Sequence, residues 1–298
     1  VTLIGIDVGG TSMKAALADG TTVLAAESCP TDREDPVGGV LGFAAHLAAR
    51  AEELTGSPAA AAGIALPGIV DEAAGVAVHS ANLGWRDVPM VRLATERLGV
   101  PVAIGHDVRT GGLAEAVLGA GRDAADFLFT AIGTGIAAAL VLGGVPYPGT
   151  RGWSGEIGHI VVRPGGAACA CGNRGCLETY ASAAAVARRH EERAGLALPA
   201  ERVIARAATG DADAAAVWDE ALDCLADGLT AATLLLDPNL VVIGGGLAQA
   251  GAALLDPLAA RLEERLKFRP APALRHSELG DQAAVHGATL LAARVLDG

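Results

Sequence analysis

A strand, a glycine turn and a second strand occur twice in this chain, and that repetition constrains the fold more than any other feature of the sequence. The first copy runs Ile4-Gly-Ile-Asp7, then Gly9-Gly10-Thr11, then Met13-Lys-Ala-Ala-Leu17. The second runs Phe127-Leu-Phe-Thr-Ala-Ile132, then Gly133-Thr134-Gly135, and resumes through Ala139-Leu-Val-Leu142. Short apolar runs bounded by glycine read as buried strands joined by tight turns, and self-similarity at this distance implies an internal duplication. Around the first copy, Leu3 to Val8, Met13 to Ala18 and Thr22 to Ala26 predict three strands. A helix from Val37 to Leu54 follows Pro36, a buried strand from Ala61 to Leu66 is closed by Pro67-Gly68, and a helix from Val91 to Leu98 leads to a strand from Val102 to Ile104. The order is β-β-β-α-β-α-β. Downstream, an irregular glycine-rich stretch from Tyr147 to Cys176 precedes helices around Ala181 to Ala194 and Asp213 to Leu235. A strand from Leu240 to Ile243 then ends in Gly244-Gly245-Gly246, and Ala283 to Leu296 predicts a last helix. The class is α/β. No low-complexity linker divides the 298 residues, so the start of the repeat sets the expected boundary near Gly105. This gives a smaller lobe over 1–105, completed by the helix at 283–298, and a larger lobe over 106–282.

Hydrophobic residues make up 51% of the chain and charged residues 19%, enough apolar surface for substantial cores. The net charge of −12 leaves no basic stripe for a phosphate backbone, so nucleic acid is not an expected partner. The only lysines are Lys14 and Lys267, and no G-x-x-x-x-G-K-[ST] occurs. A bound triphosphate must therefore rely on backbone amides and magnesium. No apolar run reads as a membrane span, since Leu229 to Ile243 is broken by the turn Asp237-Pro238-Asn239. No charged leader precedes the first strand, and the expectation is a soluble, cytoplasmic protein.

The glycine turns carry the first chemical signal. In Asp7-Val8-Gly9-Gly10-Thr11, two glycines at a strand end let backbone amide protons approach phosphate oxygens, Thr11 adds a hydroxyl, and Asp7 can hold a hydrated magnesium ion. Gly133-Thr134-Gly135, from the duplicated unit, supplies the other half of a phosphate clamp. Gly244-Gly245-Gly246 suits an adenine ring passing close to backbone. Taken alone, each is also what a plain β-turn looks like.

The second signal is a cluster of sulfur ligands. His159 in Glu156-Ile-Gly-His159, with Cys169, Cys171 and Cys176, supplies one imidazole and three thiols, the set for a closed tetrahedral zinc site. With no position open to water, such a zinc is structural. Cys29 and Cys224 stand apart and read as core thiols.

Together, D-x-G-G-T and E-x-G-H followed by C-x-C-G-x-x-G-C-x-E resemble the signature of the ROK (repressor, open reading frame, kinase) family. Gly63-x-x-x-Pro67-Gly68, Asn82-Leu83-x-Trp85, Gly133-Thr134-Gly135-Ile136 and Gly244-Gly245-Gly246-Leu247 extend the resemblance over nearly the whole chain. The resemblance implies an actin-like ATPase (ribonuclease H-like) fold of two duplicated lobes with a cleft between them. It also implies an ATP-dependent sugar kinase, usually a homodimer or homotetramer, acting on a small-molecule sugar. Carried over residue by residue, it makes Asp107 the catalytic base and assigns Gly68, Asn82, His106, Glu156, His159 and Glu178 to the sugar. Asp7, Gly9, Gly10, Thr11, the Gly133–Gly135 turn and the Gly244–Gly246 turn fall to ATP, and His159, Cys169, Cys171 and Cys176 to zinc. His159 then has two tasks, one ring nitrogen for the metal and one for the sugar.

Two positions depart from the family pattern. His106 stands where family kinases usually place Asn, and Ala137-Ala138-Ala139 replace the further glycines common after G-T-G-I. Neither removes a reactive group. The sugar stays open between a glucose-like hexose, phosphorylated at the 6-hydroxyl, and an N-acetylhexosamine such as N-acetylmannosamine. A non-catalytic sugar sensor of the same family and a zinc-stabilised scaffold are the readings outside catalysis.

Overall fold

Alternation of apolar residues along the first strand decides how the first unit is layered. In the computed structural model, which describes residues 1–297, β1 (Thr2–Val8), β2 (Ser12–Asp19) and β3 (Thr22–Pro30) form an antiparallel meander. Side chains alternate across a strand, and Ile4, Ile6 and Val8 point into one core with Val40, Phe43, Ala44 and Leu47 of α1 (Pro36–Thr55). That helix begins where the Asp35 carboxylate accepts the Gly38 N–H at 2.9 Å, with Pro36 as its first residue, and ends at Gly56 in the left-handed conformation. Next come β4 (Ala61–Leu66), the short strands β5 (Ile69–Asp71), β6 (Val76–His79) and β7 (Arg86–Val88), α2 (Met90–Leu98), β8 (Val102–His106) and α3 (Asp107–Val117). The sheet order is β3-β2-β1-β4-β8, with β1, β4 and β8 parallel, so these three strands end along one edge.

The second unit repeats the plan. It holds β9 (Phe127–Ile132), β10 (Ile136–Leu142), β11 (Val145–Pro146), α4 (Glu178–Ala181), α5 (Ala183–Ala194), α6 (Ala200–Ala208), α7 (Ala212–Leu236), β12 (Leu240–Gly244), α8 (Ala252–Arg265) and β13 (Ala273–His276). Its sheet order, β11-β10-β9-β12-β13, has the same antiparallel pair β9–β10 followed by parallel neighbours β12 and β13. The duplication read from the glycine turns is therefore present in the strand topology. Leu222, Leu225 and Leu229 of α7 lie in the same core as Val241 and Ile243 of β12. At its start, Asp211 accepts the N–H groups of Asp213 and Ala214.

The chain then supplies α9 (Ala283–Asp297) to the first unit, against the face of the sheet opposite α1. That face is built small. A methyl at Gly5 would lie 2.7 Å from the Thr289 nitrogen, and one at Gly63 would overlap the Ala288 carbonyl oxygen, while Leu3, Ala61 and Ala292 close the layer.

Several elements differ from the sequence expectation. The small sheet β5-β6-β7 was not predicted, because strands of three or four residues carry too little periodicity. Nor were α3, α6, α8 and β13. The first unit comprises Val1–Ala114, Pro146–Ser154 and the segment from Gln282 onward, and the second Glu115–Val145 and Gly155–Asp281. The boundary was expected near Gly105; the first unit runs to Ala114, and the Thr110 carbonyl packs against Gly287 of α9. Glu115, the next residue, is fully buried in the second unit. It accepts the Ala120 N–H at 2.7 Å, the Leu279 N–H at 3.1 Å and the Ser277 hydroxyl. Among the described residues, no helix is long and apolar enough to cross a membrane.

Gly63→Ala tests the close seat of α9. The new methyl meets backbone that cannot swing away, so the unfolding midpoint should fall by on the order of 5–10 °C. An unchanged midpoint in a thermal melt would show that α9 sits further from β4.

Candidate active site

Parallel strands deliver the sequence-predicted residues of the first unit to one edge. Asp7 is next to last in β1, Gly68 follows β4, and His106 ends β8 with Asp107 opening α3. Register pairs Asp7 with Ala65, and Leu66 with His106, so the three strand ends are neighbours. The carboxyl edge of parallel strands is where α/β sheets take their ligands.

After β1 the chain turns through Gly9, Gly10 and Thr11, where the Gly9 N–H donates to the Ser12 carbonyl at 3.0 Å. Thr31 braces this turn, its hydroxyl donating to the Gly9 carbonyl at 2.7 Å and its N–H to the Thr11 carbonyl at 3.0 Å. Lys14, which the sequence reading treated only as one of two lysines, stands directly across from Asp7 on β2. Asn82 is exposed and its Cβ approaches Gly10, held there by a turn whose Leu83 and Trp85 are buried.

Asp107 is the pivot of this edge. Its Oδ1 accepts the Val108 N–H at 2.7 Å and lies 3.3 Å from Nδ1 of the buried His106 ring. Burial pushes the Asp107 carboxyl up to about 6, outweighing the Val108 hydrogen bond and the nearby Arg109 charge, which pull it down. A carboxyl group in that range exchanges protons near neutral pH.

In the second unit the predicted residues also converge. The Gly133 N–H donates to the Gly135 carbonyl at 2.9 Å, and the Gly133 carbonyl accepts the Ala183 N–H at 2.8 Å. Glu178, the first residue of α4, lies against this turn, its Oε2 accepting the Ile136 N–H at 3.3 Å. Gly244 is paired with Ala131 on β9, which brings the Gly244–Gly246 turn beside the Gly133–Gly135 turn. Gly246 and Ala183 both line an apolar cavity of about 370 Å³, with Ala200, Ile204, Leu247 and Ala250. Thr134 is exposed at the turn.

Glu156 and His159 flank a single 3-10 turn over Ile157–His159, where the Glu156 Oε2 is 4.0 Å from the His159 Nε2. The other ring nitrogen, Nδ1, faces the thiols: it is 3.7 Å from the Cys169 Sγ, and the Cys171 and Cys176 Sγ atoms are 3.7 Å apart. All four donor atoms lie within 4.8 Å of one another. Burial pushes the Cys176 thiol up to about 12, whereas the exposed Cys171 thiol, bonded by the Asn173 N–H, lies below its ordinary range. Cys224 is buried and Cys29 half-buried, both apart from this group.

Sequence reasoning missed two residues of the first unit. Glu72 and Arg109 form an ion pair, 2.9 Å between Nη2 and Oε1, beside Asp107. They are 37 positions apart and belong to no glycine turn or ligand spacing, so only the folded chain shows them as partners.

The sequence profile described as the ROK family matches residues 3–295. The chain is similar to a glucokinase from Halalkalibacterium halodurans, with 35% identity over 95% of this chain and 92% of that protein. It is similar to a kanosamine kinase from Amycolatopsis mediterranei, with 33% identity over 99% of this chain and 97% of that one. In three dimensions it is similar to a ROK family glucokinase from Streptomyces griseus in complex with glucose and AMPPNP, with a TM-score of 0.85, 28% identity, and coverage of 99% of this chain and 100% of that one.

Proposed function

This chain belongs to the ROK family, and from that premise we propose that it transfers the terminal phosphoryl group of ATP to a hexose hydroxyl, with Asp107 as general base. The fold is the duplicated, actin-like ATPase fold of that family. The observation that carries the assignment is Asp107 itself: a carboxylate at the carboxyl edge of β8 whose proton affinity lies near neutral pH. The sugar is glucose-like in this reading, with the 6-hydroxyl as acceptor. As that oxygen attacks the γ-phosphorus, its proton passes to the Asp107 carboxylate and ADP leaves with the electrons of the broken P–O bond.

Glu156, His159, Glu178, Asn82, His106 and the Gly68 backbone are the proposed sugar contacts, where carboxylates accept hydrogen bonds from vicinal hydroxyls. The Gly9–Thr11 and Gly133–Gly135 turns are the proposed phosphate contacts, and the cavity beside Gly246 suits an adenine ring in size and apolar character. A magnesium ion would be held through Asp7 and would neutralise phosphate charge when bound. The same reading brings with it a homodimer or homotetramer and a cytoplasmic location. His106, with the kanosamine kinase relative, supports a second reading in which an amino sugar or N-acetylhexosamine is preferred.

For the four-donor group we propose a structural zinc. In a tetrahedron with Zn–S bonds of about 2.3 Å, the sulfur–sulfur edge is about 3.8 Å. The Cys171–Cys176 separation of 3.7 Å fits that edge. His159 would give Nδ1 to the metal and keep Nε2, on the side of Glu156, for the sugar.

ADP release with magnesium-ATP, measured across glucose, mannose, kanosamine, N-acetylglucosamine and N-acetylmannosamine, tests the activity and ranks the sugars. Asp107→Asn should lower kcat by about 10²–10⁴ while sugar binding persists; full turnover by this variant would end the base assignment. Because the base works only when deprotonated and Asp107 titrates at about 6, kcat/KM should fall as pH drops through that value. A flat profile from pH 5 to 8 would place the titration elsewhere. Metal analysis should find one zinc per chain, and Cys171→Ser, at an exposed position, should lower zinc content and melting temperature together. Wild-type protein stripped of metal and equally stable would count against a structural zinc.

A further inference from the structure

Arg109 has no role in the proposed chemistry, yet its surroundings are built around the proposed base. The side chain is 3% exposed. Its Nε donates to the Glu72 Oε1 at 2.9 Å, its Nη1 to the Gly152 carbonyl at 3.0 Å, and its Nη2 reaches the Val70 carbonyl at 3.5 Å. The same Glu72 oxygen accepts the backbone N–H of His106 at 3.2 Å. Arg109 returns its own backbone N–H to the His106 ring at 3.4 Å. One carboxylate oxygen therefore holds the residue just before Asp107 and the side chain two positions after it. The ring of contacts runs from Glu72 to His106, through Asp107 along the chain to Arg109, and back to Glu72.

Burying a guanidinium sacrifices its hydration, and apolar side chains of similar volume stabilise a fold at least as well. What a planar, rigid fork of donors gives instead is fixed direction. Here the fork reaches two separate segments: Val70 and Glu72, in and just after β5, and Gly152 in the 146–154 excursion. Gly152 has φ +73, and a methyl there would overlap the Val70 carbonyl oxygen, so this segment is seated tightly against β5 beneath the guanidinium. We propose that Arg109, acting with Glu72, is a positioning residue for phosphoryl transfer: the pair fixes the first turn of α3 so that the Asp107 carboxylate is held in line with the attacking hydroxyl. This rests on Asp107 being the base.

The pair is tested by Arg109→Gln, Glu72→Gln and the double variant, with Asp107→Asn alongside. For each, kcat, sugar affinity by calorimetry and the melting temperature are measured. A displacement of the base by about 1 Å costs on the order of 10²-fold, so both single variants should lose kcat on that order with sugar affinity retained. The double variant should be no slower than the worse single one, because the two side chains act as one unit. Should Arg109→Gln not fold, Glu72→Gln decides, since its amide keeps the size of a side chain that is one third exposed. Wild-type kcat in folded Glu72→Gln, with Asp107→Asn inactive, overturns the positioning role and leaves the base in place. Loss of kcat, sugar affinity and melting temperature together also overturns it, by making the pair a support of the fold alone. Full turnover by Asp107→Asn removes the base and the positioning proposal with it.

Discussion

The close seat of α9 on β1 and β4 is the constraint on which the first unit depends. Side chains normally hold a helix off a sheet; here Gly5, Gly63 and their alanine neighbours remove them. Every other layer follows. On the opposite face of the sheet, Ile4, Ile6 and Val8 of β1 meet α1. The strands between these two layers are fixed in register, and their carboxyl ends present Asp7, Gly68 and Asp107 as a set.

The second unit reaches an equivalent edge with a different support. Between Glu156 and Glu178 the chain has little regular structure, and its path is set by short links: the Leu177 N–H to the Ile160 carbonyl at 2.9 Å and the Val162 N–H to the Gly175 carbonyl at 2.9 Å. The thiols and His159 gather inside that loop. With the proposed zinc bound, a metal cross-link there would substitute for a hydrophobic core that a glycine-rich segment does not supply. Glu178 lies against the Gly133–Gly135 turn without any long helix to place it.

Much of this was legible in the sequence because its signals are repeated or dense. Two glycine turns after buried strands disclosed the duplication, and four sulfur and imidazole donors within eighteen residues pointed to a cluster that the fold gathers within 4.8 Å. The fold class, the strand from Ala61 to Leu66 and the last helix were readable from apolar periodicity. What escaped were elements whose identity depends on tertiary contact. β5 to β7 are too short to show a period, and α3 begins with Asp107 and contains two glycines, so it does not read as a helix. Glu72 and Arg109 escaped for the same reason: a half-buried ion pair across 37 positions leaves no local trace.

That pair also bears on which changes this chain can accept. A guanidinium with one carboxylate partner and two carbonyl partners cannot be lost or gained alone without leaving a buried charge or an orphaned acceptor. Residues 72 and 109 therefore depend on each other in this chain, together with a glycine at 152 that lets the loop come close enough. A chimera that exchanged the segment from β8 to α3 between relatives, and left the residue after β5 behind, would carry Asp107 intact but separate Arg109 from its carboxylate partner.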